Sequence, residues 1–225
     1  MNIILLPGMD GTGKLFTPLL KHLNEYNCQV ITLPQSGAQD YSTLTNYVKN
    51  KLPTGDFILI AESFSGSIAA QLAQQNLKNL KGIVFVATFL SSPNKHLLNL
   101  AKILPIKFLI KLPTARFFIK KLFLGDQAHN TLINQFIAAV NQVPTKVLKH
   151  RMKTMQSLKI HGFTHLLPSI YIQPQSDKLV PNTKVLELQK TFKKIIIKRI
   201  EGPHFILQAM PEKCADIITT FINTL

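Results

Sequence analysis

Acidic side chains are scarce in this sequence. Its 225 residues carry 11 Asp and Glu against 26 Lys and Arg, for a formal net charge of +15. Such a field favours acidic partners: nucleic acid, anionic lipid or an acidic carrier protein. Cysteine is nearly absent too. Cys28 and Cys214 stand far apart with no CxxC or CxxH spacing, which excludes the common zinc and redox motifs and fits a reducing, cytoplasmic compartment. No run of ~18 apolar residues is free of charge or proline, so no spanning helix is expected. The apolar opening NIILLP is too short for a signal-peptide core and lacks a basic leader. Internal repeats and low-complexity tracts are missing. What is present, 46% apolar and 16% charged residues, suits one substantial globular domain.

Short β-rich runs recur between stretches of helical period. They are 2–7, 29–34, 57–63, 82–88, 169–174 and 194–202, and several are apolar at consecutive positions, as in strands covered on both faces. Helices are expected near 14–25, 41–51, 66–78, 181–192 and 211–224. This alternation predicts an α/β fold, a parallel sheet wrapped by helices. One interval breaks the rhythm. Residues 89–168 hold no convincing strand and read as several helices, an inserted cap on a core made of 1–88 and 169–225. Twelve Lys and Arg lie between Lys95 and Lys159, against one acid, Asp126.

The stretch LLPGMDGTGKLF, Leu5 to Phe16, has the G-x-x-x-x-G-K spacing of a phosphate-binding loop after a strand. The next residue should be Ser or Thr to hold Mg²⁺, and it is Leu15, which cannot ligate a metal. A better use for the loop comes from further along. The third strand runs into AESFSG, with Ser63 at the strand-to-helix junction between Ala61 and Ser65. Small residues on either side allow the tight turn that exposes a nucleophilic hydroxyl at the sheet edge. A serine needs a base, and the base an orienting acid. QSDKLVP places Asp177 just past the fifth strand, and EGPHFILQ places His204 just past the sixth. All three positions fall at the carboxyl edge of a parallel sheet, where such folds gather their sites. Acyl transfer also needs N–H donors for the oxyanion. The Phe64 N–H follows the nucleophile, and Met9 in the opening loop is the second candidate.

The motifs LLPGMDGTG, AESFSG, QSDKLVP and EGPHFILQAMPE together resemble the α/β-hydrolase superfamily over nearly the whole chain. The resemblance implies Ser63 as nucleophile, His204 as base and Asp177 as acid, with no cofactor and no metal. It makes 89–168 a helical lid, and the six-stranded sheet lacks the first two strands usual in that fold. A loop beginning Pro7-Gly8 stands where His-Gly is commoner. The implied activity is cleavage of carboxylic esters through an acyl-enzyme. Fold and lid position are also similar to the pimeloyl-acyl-carrier-protein methyl ester esterases. The cap's basic residues Lys102, Lys107, Lys111, Arg116, Lys120 and Lys121 suit either water or an anionic partner. Lys107, Lys111 and Lys120 are the candidate contacts for acyl carrier protein or an anionic membrane surface. Nucleic acid is not expected, since no recognition motif supports it. An acyl-carrier-protein-linked esterase or thioesterase, a lysophospholipase-like lipid hydrolase and a binding protein that has lost turnover are the competing readings. Glu62, by strand alternation, should point away from Ser63 in a structural role, and Asp10 should stabilise its turn. His22, His96, His129, His150, His161 and His165 share no metal-ligand spacing.

Overall fold

A computed structural model describes every residue except His161, with only the backbone described for His96 and Lys102. Six strands, β1 (Asn2–Leu6), β2 (Asn27–Val30), β3 (Phe57–Glu62), β4 (Leu80–Val86), β5 (Ser169–Pro174) and β6 (Ile195–Ile200), form one sheet in the order β2-β1-β3-β4-β5-β6. Every pairing is parallel. Helices α1 (Thr17–Leu20), α2 (Tyr41–Lys49) and α3 (Gly66–Gln74) lie among the first strands. Between β4 and β5 come α4 (Lys95–Ile103), α5 (Ile106–Leu109), α6 (Ala115–Ile119), α7 (Asn130–Gln142) and α8 (Thr145–Ser157). Then follow α9 (Val185–Thr191), α10 (Ile206–Ala209) and α11 (Pro211–Ile222).

Strand alternation divides the core into two layers. Ile3, Leu5, Ile58, Ile60, Val84, Val86, Ile170 and Ile172 face Leu19 of α1 and Ile218 and Phe221 of α11. On the opposite face Ile4, Leu6, Leu59, Ala61, Phe85 and Tyr171 meet Leu44, Val48, Ile68 and Leu188. Each fully buried aliphatic side chain contributes about 1.5–3 kcal/mol of transfer free energy, so the central strands are held strongly from both sides. Val147, Leu148, Met152 and Met155 of α8 join this second layer. The last helix of the insertion therefore packs as part of the core.

Local chemistry sets the element ends. Asp40 caps α2 by accepting the Thr43 N–H at 2.9 Å, and Asn94 caps α4 by accepting that of Leu97 at 3.0 Å. Pro211 opens α11 with Glu212 in its first turn. Two expected spans are corrected. The second strand is 27–30 rather than 29–34, because beyond Ile31 the chain turns to the opening loop and the Leu33 N–H donates to Gly11 O at 2.8 Å. The helix expected over 14–25 is a 3₁₀ turn, Lys14–Phe16, plus the short α1; three-residue turns then carry the chain to Tyr26.

Candidate active site

β3 ends in an abrupt turn. Ser63 has φ of 50°, a left-handed conformation unusual for a residue with a Cβ and costing of order 1–3 kcal/mol. Several contacts hold it there. The Thr88 hydroxyl, just past β4, donates to Ser63 O at 2.5 Å, and the Ser65 hydroxyl donates to Pro7 O at 2.5 Å. Gly66 permits the approach, since a Cβ there would fall on the Thr88 side chain. Ala61 and Ser65 are buried, as the tight turn requires, but the closest steric fit is at Gly66.

The structure brings Ser63, His204 and Asp177 together. His204 Nε2 lies 2.9 Å from Ser63 Oγ, and Nδ1 lies 2.7 Å from Asp177 Oδ2. The other Asp177 oxygen accepts the Leu179 and Val180 N–H groups at 2.8 and 2.9 Å. That carboxylate is anchored at both oxygens, which fixes the plane of the imidazole. The side chains of His204 and Asp177 are 4% and 2% exposed, whereas Ser63 is partly open. Burial by itself would lower the His204 pKa. The charge and hydrogen bond of Asp177, with a contribution from Glu62, outweigh it and raise the imidazole above its ordinary value.

The opening loop lies against this arrangement. A Cβ on Gly8 would stand 3.8 Å from the Ser63 Cβ. The Gly11 N–H donates to Gly8 O at 3.0 Å. In a trans peptide the C=O and N–H point in opposite directions, so this bond turns the Met9 N–H away from the turn. In the same way, Thr88 holds Ser63 O and so aims the Phe64 N–H away from Thr88. Asp10 accepts the Thr12 N–H at 2.9 Å and the Thr12 hydroxyl at 2.5 Å, closing the loop on itself.

Arg151 and Thr88 have roles that the sequence reading did not assign. Arg151 is one of the twelve basic residues counted in the cap, and its side chain is fully buried. Its guanidinium donates to Gln39 Oε1 at 2.9 Å, Met9 O at 2.8 Å and Pro34 O at 2.8 Å. Burial lowers its pKa to about 10, with the Asp10 charge opposing, so it stays charged at neutral pH. The signal was present in α8, because Arg151 sits four residues from both Val147 and Met155, on the helix's apolar stripe. Thr88 could have been found from its place just beyond β4, the neighbour of the strand that carries Ser63. Glu62 is 1% exposed, its Oε1 lacks a hydrogen-bond partner among the described residues, and a Cβ on Gly8 would stand 3.8 Å from both its Oε2 and the Ser63 Cβ. Burial, reinforced by Asp10, pushes its pKa up to about 7, with the Gln208 side chain, His204 and the Gly8 backbone opposing.

The segment between β4 and β5 reaches the neighbourhood of His204 at Phe123. Phe123 O accepts the Phe205 N–H at 3.1 Å, next to His204, and Phe123, Phe136 and Phe205 form an aromatic cluster. Of the expected partner lysines, Lys107 donates to Asn141 O at 2.9 Å and Lys120 approaches Asp126 O at 3.5 Å; Lys111 is exposed and has no ion pair among the described residues. Lys102, His96 and His161 lie outside the described side chains. Asp126 pairs with Lys121 at 2.9 Å, and its partners do not include His204. No three His, Cys, Asp or Glu side chains among the described residues are grouped to hold a metal ion. Two surface clefts, of about 460 and 320 Å³, open elsewhere and are not lined by Ser63, Asp177 or His204.

The sheet order, the sharp serine turn and the wrapping helices define the α/β-hydrolase fold. Solved structures agree. A lipase-esterase related protein from Clostridium acetobutylicum superposes with a TM-score of 0.77 at 17% identity, over 98% of this chain and 93% of that one. An esterase from Exiguobacterium antarcticum gives 0.81 at 12% identity, over 99% and 92%. No protein-family model matches the chain. A Haemophilus influenzae protein named as a 2-succinyl-6-hydroxy-2,4-cyclohexadiene-1-carboxylate synthase is 29% identical over 97 residues, 37% of this chain. The match spans 39% of that curated relative's length.

Proposed function

We propose that the protein is a serine hydrolase that cleaves carboxylic esters. The observation that carries this reading is the continuous relay from Ser63 Oγ through His204 to Asp177, at 2.9 and 2.7 Å, on a strained turn that exposes the serine. Ser63 Oγ attacks the ester carbonyl while its proton passes to His204 Nε2. The Met9 and Phe64 N–H groups receive the oxyanion, a contribution on the order of 3 kcal/mol per donor in a comparable site. His204 returns the proton to the leaving alkoxide, giving an acyl-Ser63 ester. Water, deprotonated by His204, then attacks that ester, and the acid leaves as Ser63 regains its proton. Asp177 holds the imidazole tautomer and stabilises its cation. The insertion acts as a lid, and the Phe123, Phe136 and Phe205 cluster beside His204 favours an apolar acyl group.

The Haemophilus relative's name describes a product bearing succinyl and carboxylate groups. Recognition of such a molecule calls for free cationic donors at the serine. Arg151, whose guanidinium lies against the opening loop, is fully buried and directs three of its five N–H donors to protein oxygens. That supports the ester reading over the polar-acid one.

The test is hydrolysis of p-nitrophenyl esters from acetate to decanoate by the wild type and by Ser63→Ala, with intact-mass detection of a fluorophosphonate adduct. The expected result is an adduct on Ser63 and a loss of at least about 10³-fold in kcat for the variant. A well-folded wild type that neither turns over any ester nor takes the adduct would refute the proposal.

A further inference from the structure

The surface of the insertion is unlike the rest of the molecule. Among the described residues, fourteen large apolar side chains are exposed, and eight of them fall within residues 100–122: Leu100, Ile103, Leu104, Phe108, Leu112, Phe117, Phe118 and Leu122. Isolated exposed apolar residues are ordinary, but a concentration of this kind marks an interaction surface. Ile103 is 79% exposed and Phe108 62%, so these side chains project outward. In α4, Leu98 is buried, and Leu100 and Ile103 lie on the far side of the helix from it. Phe117 and Phe118 stand edge to face, 5.5 Å apart, both more than half exposed.

The same segment carries six Lys and Arg and no acid. Lys111 and Lys121 are exposed among the apolar side chains, Lys121 with Asp126 as an exposed partner. Protruding Leu, Ile and Phe interleaved with Lys is the composition that binds the plane of a bilayer, apolar groups in the acyl boundary and cations against anionic headgroups. No helix among the described residues is long and apolar enough to cross a membrane, which limits the segment to the interface. An acidic carrier protein would be matched by the lysines alone and would leave the eight apolar side chains unused.

We infer that residues 100–122 dock the protein onto an anionic lipid surface. The docking segment runs directly into Phe123, whose carbonyl holds the Phe205 N–H beside His204. The bound membrane therefore lies on the outer side of the wall that flanks the site. This inference does not rest on the ester-hydrolase reading.

The experiment is co-sedimentation of the full chain with vesicles of phosphatidylcholine, alone and mixed with phosphatidylglycerol, at low and high salt. Binding is expected to the anionic vesicles, weaker by about ten-fold or more on neutral vesicles or in high salt. Phe117→Ser/Phe118→Ser should weaken it by at least about ten-fold, and Lys111→Glu/Lys121→Gln by a similar factor. All four side chains are exposed, and an unchanged thermal transition establishes that each variant is folded. Wild type that fails to sediment with anionic vesicles overturns the inference, as does binding that ignores both variants. A self-associated chain that the Phe variant disperses without lipid binding overturns it in favour of a second copy, and carrier-protein binding without vesicle binding overturns it in favour of that partner. Turnover of a soluble ester, measured in parallel, reports on the chemistry separately from the docking.

Discussion

Glu62→Gln should stabilise the protein at alkaline pH and much less at acid pH. The carboxyl is buried with one oxygen unpartnered, and its pKa rises from 4.5 to about 7 on folding. An acid whose folded pKa is raised favours the protonated state when folded. Its stability penalty is absent below the unfolded pKa, grows as pH rises from about 4.5 to about 7 and is constant above that. The full penalty is the shift times 1.36 kcal/mol, or about 3 kcal/mol. Near pH 5 the penalty is about 0.8 kcal/mol, so the variant's advantage should grow by about 2.5 kcal/mol between about pH 5 and about pH 8.5. Any fixed effect of the amide cancels in that difference. Urea unfolding at the two pH values measures it; with an m-value of 2–3 kcal/mol/M the change corresponds to about 1 M in midpoint. The same substitution removes a charge that helps raise the His204 pKa, so the rising limb of kcat/KM should move to lower pH. A stability change that is independent of pH would show that Glu62 is already ionised at little cost, and the reasoning would fail.

Two further outcomes follow from the groups that hold the opening loop and the serine turn. Arg151→Met leaves Met9 O, Pro34 O and Gln39 Oε1 without their donor and Asp10 without its nearby cation. It should cost about 3–5 kcal/mol, read as a fall of at least about 6 °C in thermal midpoint; a fall of a degree or two would refute the clamp. Thr88→Val frees Ser63 O and with it the Phe64 N–H, so kcat should fall by about ten-fold with KM little changed, while Thr88→Ser keeps the hydroxyl and the rate. Equal losses in the two variants would assign Thr88 to packing alone.

The central strands were legible because their apolar runs are buried on both faces and leave no competing pattern. The edge strand was not. Asn27, Cys28, Gln29 and Val30 have no apolar run to mark them, and the pull on Ile31 to Pro34 comes from the Gly11 carbonyl, a contact made only after folding. That Ser63, Asp177 and His204 would meet was legible for a topological reason: each follows a strand directly, and parallel strands bring such positions to one edge. Their mutual distances were not, since those depend on the Thr88 hydroxyl and on the absence of a Cβ at Gly66.

Positive charge was the feature the sequence could count but not divide. Arg151 and Lys111 each add one to the total, and composition treats them alike. Helical phase separates them. Arg151 falls on the stripe of Val147, Leu148, Met152 and Met155, so burying that stripe carries the guanidinium into the core, where three oxygens and Asp10 compensate it. Lys111 lies just past the short α5, none of whose residues is buried, and remains in water beside exposed Phe108 and Leu112. One cation thereby fixes the backbone of the loop proposed to receive the oxyanion, and the other faces outward on the apolar surface proposed to meet lipid. The Arg151→Met and Lys111→Glu changes should therefore separate cleanly: the first should alter stability and turnover of soluble esters, and the second only vesicle binding. Loss of stability on charge reversal at Lys111 would contradict this division.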